Sequence, residues 1–320
     1  MKKRWALVAA LCLFLLPGCS QEEKNFPSRP VQLIVPYAAG GAADQTARAL
    51  AASSKDALGQ PVNVVNKADE KGPATGLAAG AAAKADGYTV TLVTADLAIL
   101  PLLGQNQTTY KQFEAFLCLN EDPVVLAVRT DSPWQTTQAF VTYAAANSGQ
   151  LRVGNAGAGT IWHMAALVLE KKAGVAFAHR NFAGAAPAIA SLLNREIEAV
   201  AVSQAEAVNQ AAAGRLRILG VMSERSSAVL PGVPTMRQQG YDLTLATWRG
   251  LAVPKGTPAA TVQKLLQAFQ QGAQAPSFSQ YMAKAGIETR YLAGTDFEAS
   301  IQQQERLFRN LLSESGASKE

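Results

Sequence analysis

The stretch Val31-Gln-Leu-Ile-Val-Pro-Tyr-Ala-Ala-Gly-Gly-Ala-Ala-Asp44 joins a strand pattern to a helix pattern. Its first five residues are mostly β-branched and apolar, which predicts a buried strand that ends at the proline. Gly40 and Gly41 allow a sharp turn with exposed backbone N–H groups. A helix predicted at 46–52 places its positive N-terminal end beside this turn, which favours an anion. An ordinary strand-to-helix connection capped by Asp44 explains the stretch equally well at this point.

The composition is that of a globular protein of about two domains. The chain has 320 residues, of which 48% are hydrophobic and 17% charged, so a large core is expected and global disorder is excluded. The formal charge of +5 includes Lys2, Lys3 and Arg4, and removing them leaves +2. Because dense basic runs with interleaved aromatic residues are absent from the sequence, we predict no nucleic-acid partner.

Residues 1–18 have the pattern of a secretion signal. A basic start precedes an apolar run at 5–16, which is too short for a comfortable membrane span. The following Leu16-Pro-Gly-Cys-Ser20 resembles a bacterial lipobox, which predicts lipidation of Cys19 and a tether at 19–25; the alternative is a plain signal peptide cut nearby. Only Cys118 then remains, as a buried hydrophobic residue, so no internal disulfide or cysteine-based metal site is expected.

The rest of the chain alternates between strand and helix patterns, which predicts an α/β fold with parallel sheets flanked by helices. Strands are predicted at 61–66, 88–93, 124–128, 151–153, 177–182, 197–202, 216–222 and 243–253. Helices are predicted at 77–84, 132–146, 161–172, 185–193, 205–213, 258–270, 276–285 and 297–313. We interpret 109–120 as a transitional stretch.

A second strand-to-helix loop rich in small residues, Gly154-Asn-Ala-Gly-Ala-Gly-Thr160, resembles the first in composition. Ligands of open α/β sheets bind beyond the carboxyl ends of the strands. Two sheets facing each other would therefore offer two helix N-termini to one anionic ligand. The familiar enzyme motifs are missing from the sequence: this loop lacks the third glycine of a dinucleotide fingerprint, and no P-loop, GxSxG or HExxH pattern occurs. We expect no catalytic residue and no metal site.

Several further segments match a known family in order and spacing. They are Leu58-Gly-Gln-Pro-Val62, Asp86-Gly-Tyr-Thr-Val90, Val153-Gly-Asn-Ala-Gly-Ala-Gly-Thr160, Gly184-Ala-Ala-Pro187, Ala213-Gly-Arg-Leu-Arg217, Leu230-Pro-Gly-Val-Pro-Thr235 and Trp248-Arg-Gly-Leu-Ala-Val-Pro-Lys-Gly-Thr-Pro258. Together with Phe26-Pro-Ser-Arg-Pro-Val31 and the loop that follows, they resemble the Bug proteins, the substrate-binding receptors of tripartite tricarboxylate transporters. The resemblance covers essentially the whole mature chain.

This resemblance implies a two-lobed, type II periplasmic-binding-protein fold, each lobe a mostly parallel sheet flanked by helices. Lobe one would comprise 26–122 plus 249–320, and lobe two 123–248. The implied protein is a monomeric, extracytoplasmic, membrane-anchored lipoprotein, in a periplasm or on the outer face of the cytoplasmic membrane. It would bind a small carboxylate without a cofactor and deliver it to membrane permease subunits. The alternatives are a ligand sensor for a signalling partner and an enzyme that uses the same cleft.

The ligand-binding residues that the resemblance implies come from the two glycine loops, the end of the third predicted strand and the return crossing between the lobes. They are Tyr37, Ala38, Ala39, Gly40, Gly41, Ala42, Asp44, Thr94, Asp96, Asn155, Ala156, Gly157, Gly159, Thr160, His163, Ser203, Trp248 and Arg249. Backbone N–H groups, hydroxyls and ordered waters would hold the carboxylate, with no fixed cation required.

Some of these residues carry alternative interpretations. Asp44 is expected to shape the first loop more than to touch the ligand, and His163 either donates to the ligand or supports the second loop. Asp96 is either an acidic contact or a helix cap, and Arg249 either meets a second carboxylate or packs at the hinge. Ser203 stands where many members have aspartate, which weakens the expectation of an amine-bearing ligand.

Overall fold

The computed structural model describes residues 26–37, 39–68, 73–155, 160–182 and 184–315. The predicted secretion signal and the predicted lipidation of Cys19 fall outside these ranges, as do Ala38, Ala156, Gly157 and Gly159 of the predicted site. Among the described helices, none is both long enough and apolar enough to cross a membrane.

The described residues form an alternation of strands and helices. The strands are β1 (Val31–Val35), β2 (Val62–Asn66), β3 (Thr89–Thr94), β4 (Phe113–Arg129), β5 (Arg152–Asn155), β6 (Ala178–Asn181), β7 (Ala199–Ser203), β8 (Leu216–Val221), β9 (Ala246–Pro254) and β10 (Thr289–Ala293). The helices are α1 (Ala42–Leu58), α2 (Ala74–Ala81), α3 (Asp96–Ile99), α4 (Thr137–Ala146), α5 (Ile161–Ala173), α6 (Ala185–Leu193), α7 (Gln204–Ala212), α8 (Ala259–Gln274), α9 (Pro276–Lys284) and α10 (Thr295–Ser315). The predicted α/β class is confirmed, whereas β10 and α3 were not predicted.

The strands pair in the order β2-β1-β3-β9-β4-β7-β5-β6, and β8 and β10 also pair with β4. In the first half of the molecule β1, β2 and β3 are parallel, and in the second half β5, β6 and β7 are parallel. The pairings that involve β4 or β9 are antiparallel: β3 pairs with β9, β7, β8 and β10 pair with β4, and β4 pairs with β9 from Phe113 opposite Pro254 to Pro123 opposite Ala246. The two halves are therefore joined through β4 and β9.

The prediction that 109–120 is only transitional was wrong, because β4 runs unbroken for 17 residues from Phe113. Its middle carries Asn120, Asp122 and Pro123, which do not suit a central strand by composition. Long-range pairing overrides this local preference: Val124 resumes the hydrogen bonding at once by donating to the carbonyl of Leu245, at 2.9 Å.

The carboxyl ends of the parallel strands of both halves meet where β4 and β9 cross between the halves. Thr94, the last residue of β3, lies opposite Arg249 of β9, and Asn120 of β4 lies on the other side of the same arginine. Four residues further along β4, Val124 lies opposite Ser203, the last residue of β7. The loops that follow these strands therefore open toward one region from both halves, as ligand-binding loops of α/β sheets do.

Helix α10 packs across β9 at the crossing. Phe297, at its N-terminal end, is 1% exposed, and its ring lies so close to Gly250 that a Cβ there would sit 2.3 Å from the ring. The Phe297 ring also packs edge-on against Trp248, with centroids 5.2 Å apart. This contact covers one face of the crossing and leaves the other face to the loops.

Candidate ligand-binding site

The first glycine loop is shaped by the buried carboxylate of Asp44, which is 2% exposed. It accepts hydrogen bonds from the backbone N–H of Gly40 at 2.8 Å, from Arg48 Nε at 3.0 Å and from Asn66 Nδ2 at 2.9 Å. Gly40 has a φ of +84°, a conformation that favours glycine. Gly41 is extended and forms the N-cap of α1, with φ of −74°. Asp44 therefore shapes the turn that presents the N-terminal end of a 17-residue helix.

The ionisation of Asp44 gives this loop a pH-dependent stability. Burial alone would raise its pKa, but the hydrogen bonds from Arg48, Gly40 and Asn66 hold the pKa below its usual value of 3.8. A carboxyl group with a lowered pKa stabilises the folded state above its unfolded pKa, and this contribution is lost as pH falls through the folded pKa. Replacing Asp44 with asparagine should therefore cost about 1–3 kcal/mol of unfolding free energy at about pH 7 and clearly less at about pH 3.

Urea unfolding at both pH values measures this difference. Asp56→Asn serves as the control because Asp56 lies on the same helix but is exposed, so its substitution should change the unfolding free energy little at either pH. An equal loss for Asp44→Asn at both pH values would show that the carboxylate charge does not stabilise the loop.

The ends of β1 and β3 are tied together by Tyr37. Its hydroxyl donates to Asp96 Oδ2 at 2.8 Å and lies 2.5 Å from Thr94 Oγ1, while the backbone N–H of Asp96 donates to the same Thr94 oxygen at 3.2 Å. Burial, and then the charge of Asp96, raise the pKa of Tyr37 well above its usual value, and burial also raises the pKa of Asp96. Asp96 is thus hydrogen-bonded at the edge of the site in the first half.

Arg249 is the cation at the centre of the crossing. Because directly paired residues of adjacent strands point to the same face, Arg249 shares its face with Thr94 and Asn120, and Asp122 lies two residues further along that face of β4. Arg249 Nη1 is 3.9 Å from Asp122 Oδ2, with side chains 11% and 0% exposed. The pair is close enough for strong attraction but lacks a direct hydrogen bond.

Several buried polar atoms on the Arg249 face of β4 and β9, and at the first residue of α7, have no hydrogen-bond partner among the described residues. They are Arg249 Nη1, Asp122 Oδ2 and both side-chain amide atoms of Asn120 and of Gln204. We call these four residues the crossing cluster. Buried polar groups in folded proteins are nearly always hydrogen-bonded, so a concentration of unpartnered donors and acceptors marks a place where a polar ligand can bind.

The N-terminal end of α7 is occupied by protein carboxylates. Ser203 caps the helix: its hydroxyl accepts from the backbone N–H of Glu206 at 3.3 Å and donates to Glu206 Oε2 at 2.9 Å. Asp122 Oδ1 accepts from the backbone N–H of Ala205 at 3.3 Å. Burial raises the pKa of Asp122 to about 6 against the opposing effect of Arg249. Glu206 is an exposed residue of α7 by its accessible surface.

The second glycine loop is described only at its two ends. Asn155 is fully buried at the end of β5, and Thr160 is the N-cap of α5. His163 follows in the first turn, with its ring 4.9 Å from that of His179, whose Nε2 lies 3.0 Å from Glu170 Oε2. Burial, and then His179, lower the pKa of His163, which favours a neutral ring at pH 7.

Trp248 does not join the other predicted site residues. It precedes Arg249 on β9 and therefore points to the opposite face, where its Nε1 donates to Gln304 Oε1 of α10 at 2.5 Å. A cavity of about 690 Å³ lies on this back face, lined by Glu121, Pro123, Trp248 and residues of α10, and it is separated from the crossing cluster by the strands themselves. Trp248 therefore packs behind the crossing.

On the front face, Ala39 and Ala42 are exposed at the rim of the first glycine loop.

The sequence profile described as "Tripartite tricarboxylate transporter family receptor" matches residues 46–316. The chain belongs to this family. Its members are substrate-binding receptors, in agreement with the Bug resemblance of the sequence.

Solved structures agree with the assignment. A solute-binding protein from Polaromonas, determined without ligand, is 39% identical, with a TM-score of 0.81 over 91% of this chain and 100% of that one. The periplasmic binding protein BugD is 30% identical, with a TM-score of 0.78 over 92% and 100% of the two chains. MatC from Rhodopseudomonas palustris, with bound malate, is 25% identical, with a TM-score of 0.76 over 90% and 100%. The two-lobed α/β fold of this receptor is confirmed by these similarities.

Four residues of the crossing region were not predicted as site residues from the sequence: Asn120, Asp122, Gln204 and Glu206. Two signals in the sequence could have indicated Asn120, Asp122 and Glu206. Asn120 and Asp122 are spaced by two within an apolar run, which places both on one face if the run is a strand. Ser203 followed by Glu206 has the spacing of a capping box, which marks a helix start.

Proposed function

We propose that this receptor captures a small organic carboxylate outside the cytoplasm and delivers it to a membrane permease of the tripartite tricarboxylate type. The observation that carries the proposal is the buried Arg249, whose Nη1 lacks a hydrogen-bond partner in the part of the chain that the structure describes. A guanidinium binds carboxylates through paired, charge-assisted hydrogen bonds. The N-terminal ends of α1 and α5, which follow the two glycine loops, favour the same charge.

Closure of two lobes around the crossing would complete the site. We propose lobe one as 26–122 plus 249–320 and lobe two as 123–248, because the boundaries lie where β4 and β9 pass between the halves. Tyr37, the first glycine loop, Thr94 and Asp96 then belong to lobe one, and Ser203 and the second glycine loop to lobe two. A ligand that contacts both lobes favours the closed form by its greater affinity for that form.

The malate bound to MatC supports the carboxylate class, since that relative shares the fold over almost its whole length. The sequence analysis expected that no fixed cation is required to hold the carboxylate. We propose instead that Arg249 supplies one, in addition to backbone N–H groups and water. We further propose that this receptor acts as a monomer anchored by lipid at Cys19, which the lipobox resemblance supports.

A panel of mono-, di- and tricarboxylates tests the proposal by thermal shift and titration calorimetry of the purified chain. A true ligand at about 100 times its Kd should stabilise the protein by about 2.7 kcal/mol. The matching carboxamides serve as controls of the same shape without the charge, and they should produce no shift. Binding of a nucleotide cofactor with no response to any carboxylate would contradict the proposal, and recovery of a chemically altered ligand would indicate an enzyme instead.

A further inference from the structure

One carboxylate joins the two halves of the receptor away from the strands that connect them. Glu288 lies directly before β10, which pairs with the part of β4 that also pairs with β9. Its Oε1 accepts hydrogen bonds from the Ser227 hydroxyl at 2.7 Å and from the backbone N–H groups of Ala228 at 2.8 Å and Val229 at 3.4 Å. These three residues follow β8, which pairs with the part of β4 in the second half. We call Glu288 and residues 227–229 the back contact.

The loop of the back contact is folded around the carboxylate. Ser227 is 5% exposed, and its hydroxyl donates to Glu288 and accepts from the backbone N–H of Val229 at 3.2 Å. A carboxylate that accepts from neutral donors makes charge-assisted hydrogen bonds, which are shorter and stronger than neutral ones. The back contact is therefore a specific bond between the halves, rather than an incidental meeting of surface side chains.

The segment that carries Glu288 also packs against α7, a helix of the second half. Gly286 has a φ of +69°, which favours glycine, and a Cβ there would sit 2.7 Å from Val208 Cγ1 and 3.8 Å from Ala205 Cα. Ile287 is 4% exposed and belongs to the apolar core of the first half. Residues 286–288 are therefore anchored in the first half while they touch two separate elements of the second half.

The back contact lies on the face opposite the ligand loops. Glu288 lines the cavity of about 690 Å³ behind Trp248, together with Arg290, Ser226 and Ala228. The walls of this cavity come from both halves, and β4 and β9 separate it from the front face. Two lobes that turn about β4 and β9 move apart at the back when they approach each other at the front. Hydrogen bonds that span the back therefore lengthen when the cleft closes.

We propose that the back contact holds the two lobes open in the absence of ligand, so that a ligand must lengthen or break it to close the cleft. This inference rests on the proposed function, which requires the two lobes to close. Because the ligand favours the closed form, its apparent affinity scales with the fraction of ligand-free molecules that adopt that form. The back contact then sets the affinity of the receptor although none of its residues touches the ligand.

Glu288→Ala tests the proposal because it removes the acceptor of all three hydrogen bonds. Without ligand, small-angle X-ray scattering should give this variant a smaller radius of gyration than the wild-type chain, close to that of the ligand-bound wild type. The carboxylate that stabilises the wild-type chain should bind the variant about threefold to tenfold tighter in calorimetry, since more of the ligand-free molecules are closed. Ser227→Ala removes one of the three hydrogen bonds. It should shift both measurements in the same direction by a smaller amount, and it replaces Glu288→Ala if that variant does not fold.

Glu224→Ala is the control for the change of charge. Glu224 is exposed and lines the same cavity, so its replacement removes one carboxylate without changing the back contact, and both measurements should match the wild type. An unchanged or larger radius of gyration for ligand-free Glu288→Ala would overturn the inference and leave the receptor proposal intact. Failure of every carboxylate to bind the wild type and the variant would overturn the proposed function, and the scattering of the ligand-free variant would still decide whether the back contact holds the lobes open.

Discussion

Replacing Arg249 with glutamine should weaken carboxylate binding by at least about thirtyfold, which corresponds to about 2 kcal/mol or more. The guanidinium lies at the centre of the crossing, 3.9 Å from Asp122 and 11% exposed. Its removal takes the cation from the ligand and also leaves the buried Asp122 without its opposite charge, which costs folding stability as well. Calorimetric titration with the carboxylate that stabilises the wild-type chain measures the loss of affinity.

Arg290 provides a matched control for this substitution. Its side chain pairs with Glu121, which points to the back face of β4, so it has the same chemistry on the other side of the same strands. Arg290→Gln should remove an ion pair and leave the affinity within about twofold of the wild type. If Arg249→Gln bound normally and Arg290→Gln did not, the ligand would bind on the back face.

Replacing Gly41 with proline should weaken binding by about tenfold to a hundredfold while the circular dichroism stays unchanged. Gly41 has φ of −74°, which proline adopts, and it stands at the N-cap of α1, so the helix is not interrupted. The substitution removes the Gly41 backbone N–H, and a hydrogen bond to a charged group contributes about 1.5–3 kcal/mol. Its pyrrolidine ring also occupies space at the mouth of the helix.

Gly41→Ala separates these effects from a general change in the loop. Alanine tolerates the same φ and keeps the N–H group, so this variant should bind within about threefold of the wild type. Equal affinities of Gly41→Pro and Gly41→Ala for the carboxylate would show that the Gly41 N–H group does not bind the ligand.

Local sequence patterns were sufficient to predict most of the strands and helices. The apolar run at Val31–Val35 became β1 with the predicted limits, and the small-residue turn leads into α1 as predicted, although the helix starts earlier and ends at Leu58. These elements follow from side-chain periodicity and turn residues within a short window. The role given to Asp44, shaping the loop, agrees with the hydrogen bond that it accepts from Gly40 of the loop and with those from Arg48 of α1 and Asn66 of β2.

The missed features depend on contacts between distant residues. Asn120 and Asp122 lie within a strand because β9 pairs with them from more than a hundred residues away, and no local pattern specifies that pairing. Trp248 and Arg249 were both expected at the ligand, yet neighbours along a strand point to opposite faces. The strand predicted at 243–253 contains both residues, so side-chain alternation along it already places them on opposite faces. The ligand-binding role of Ala156, Gly157 and Gly159 in the second glycine loop stays a prediction, because these residues lie outside the described ranges.

The most direct measurement is a crystal structure of this receptor with the carboxylate that stabilises it most. We expect the ligand on the front face of the crossing, with a carboxylate within hydrogen-bond distance of Arg249 and the first glycine loop beside it. A ligand in the 690 Å³ cavity behind Trp248, with Arg249 still facing only Asp122, would contradict the account.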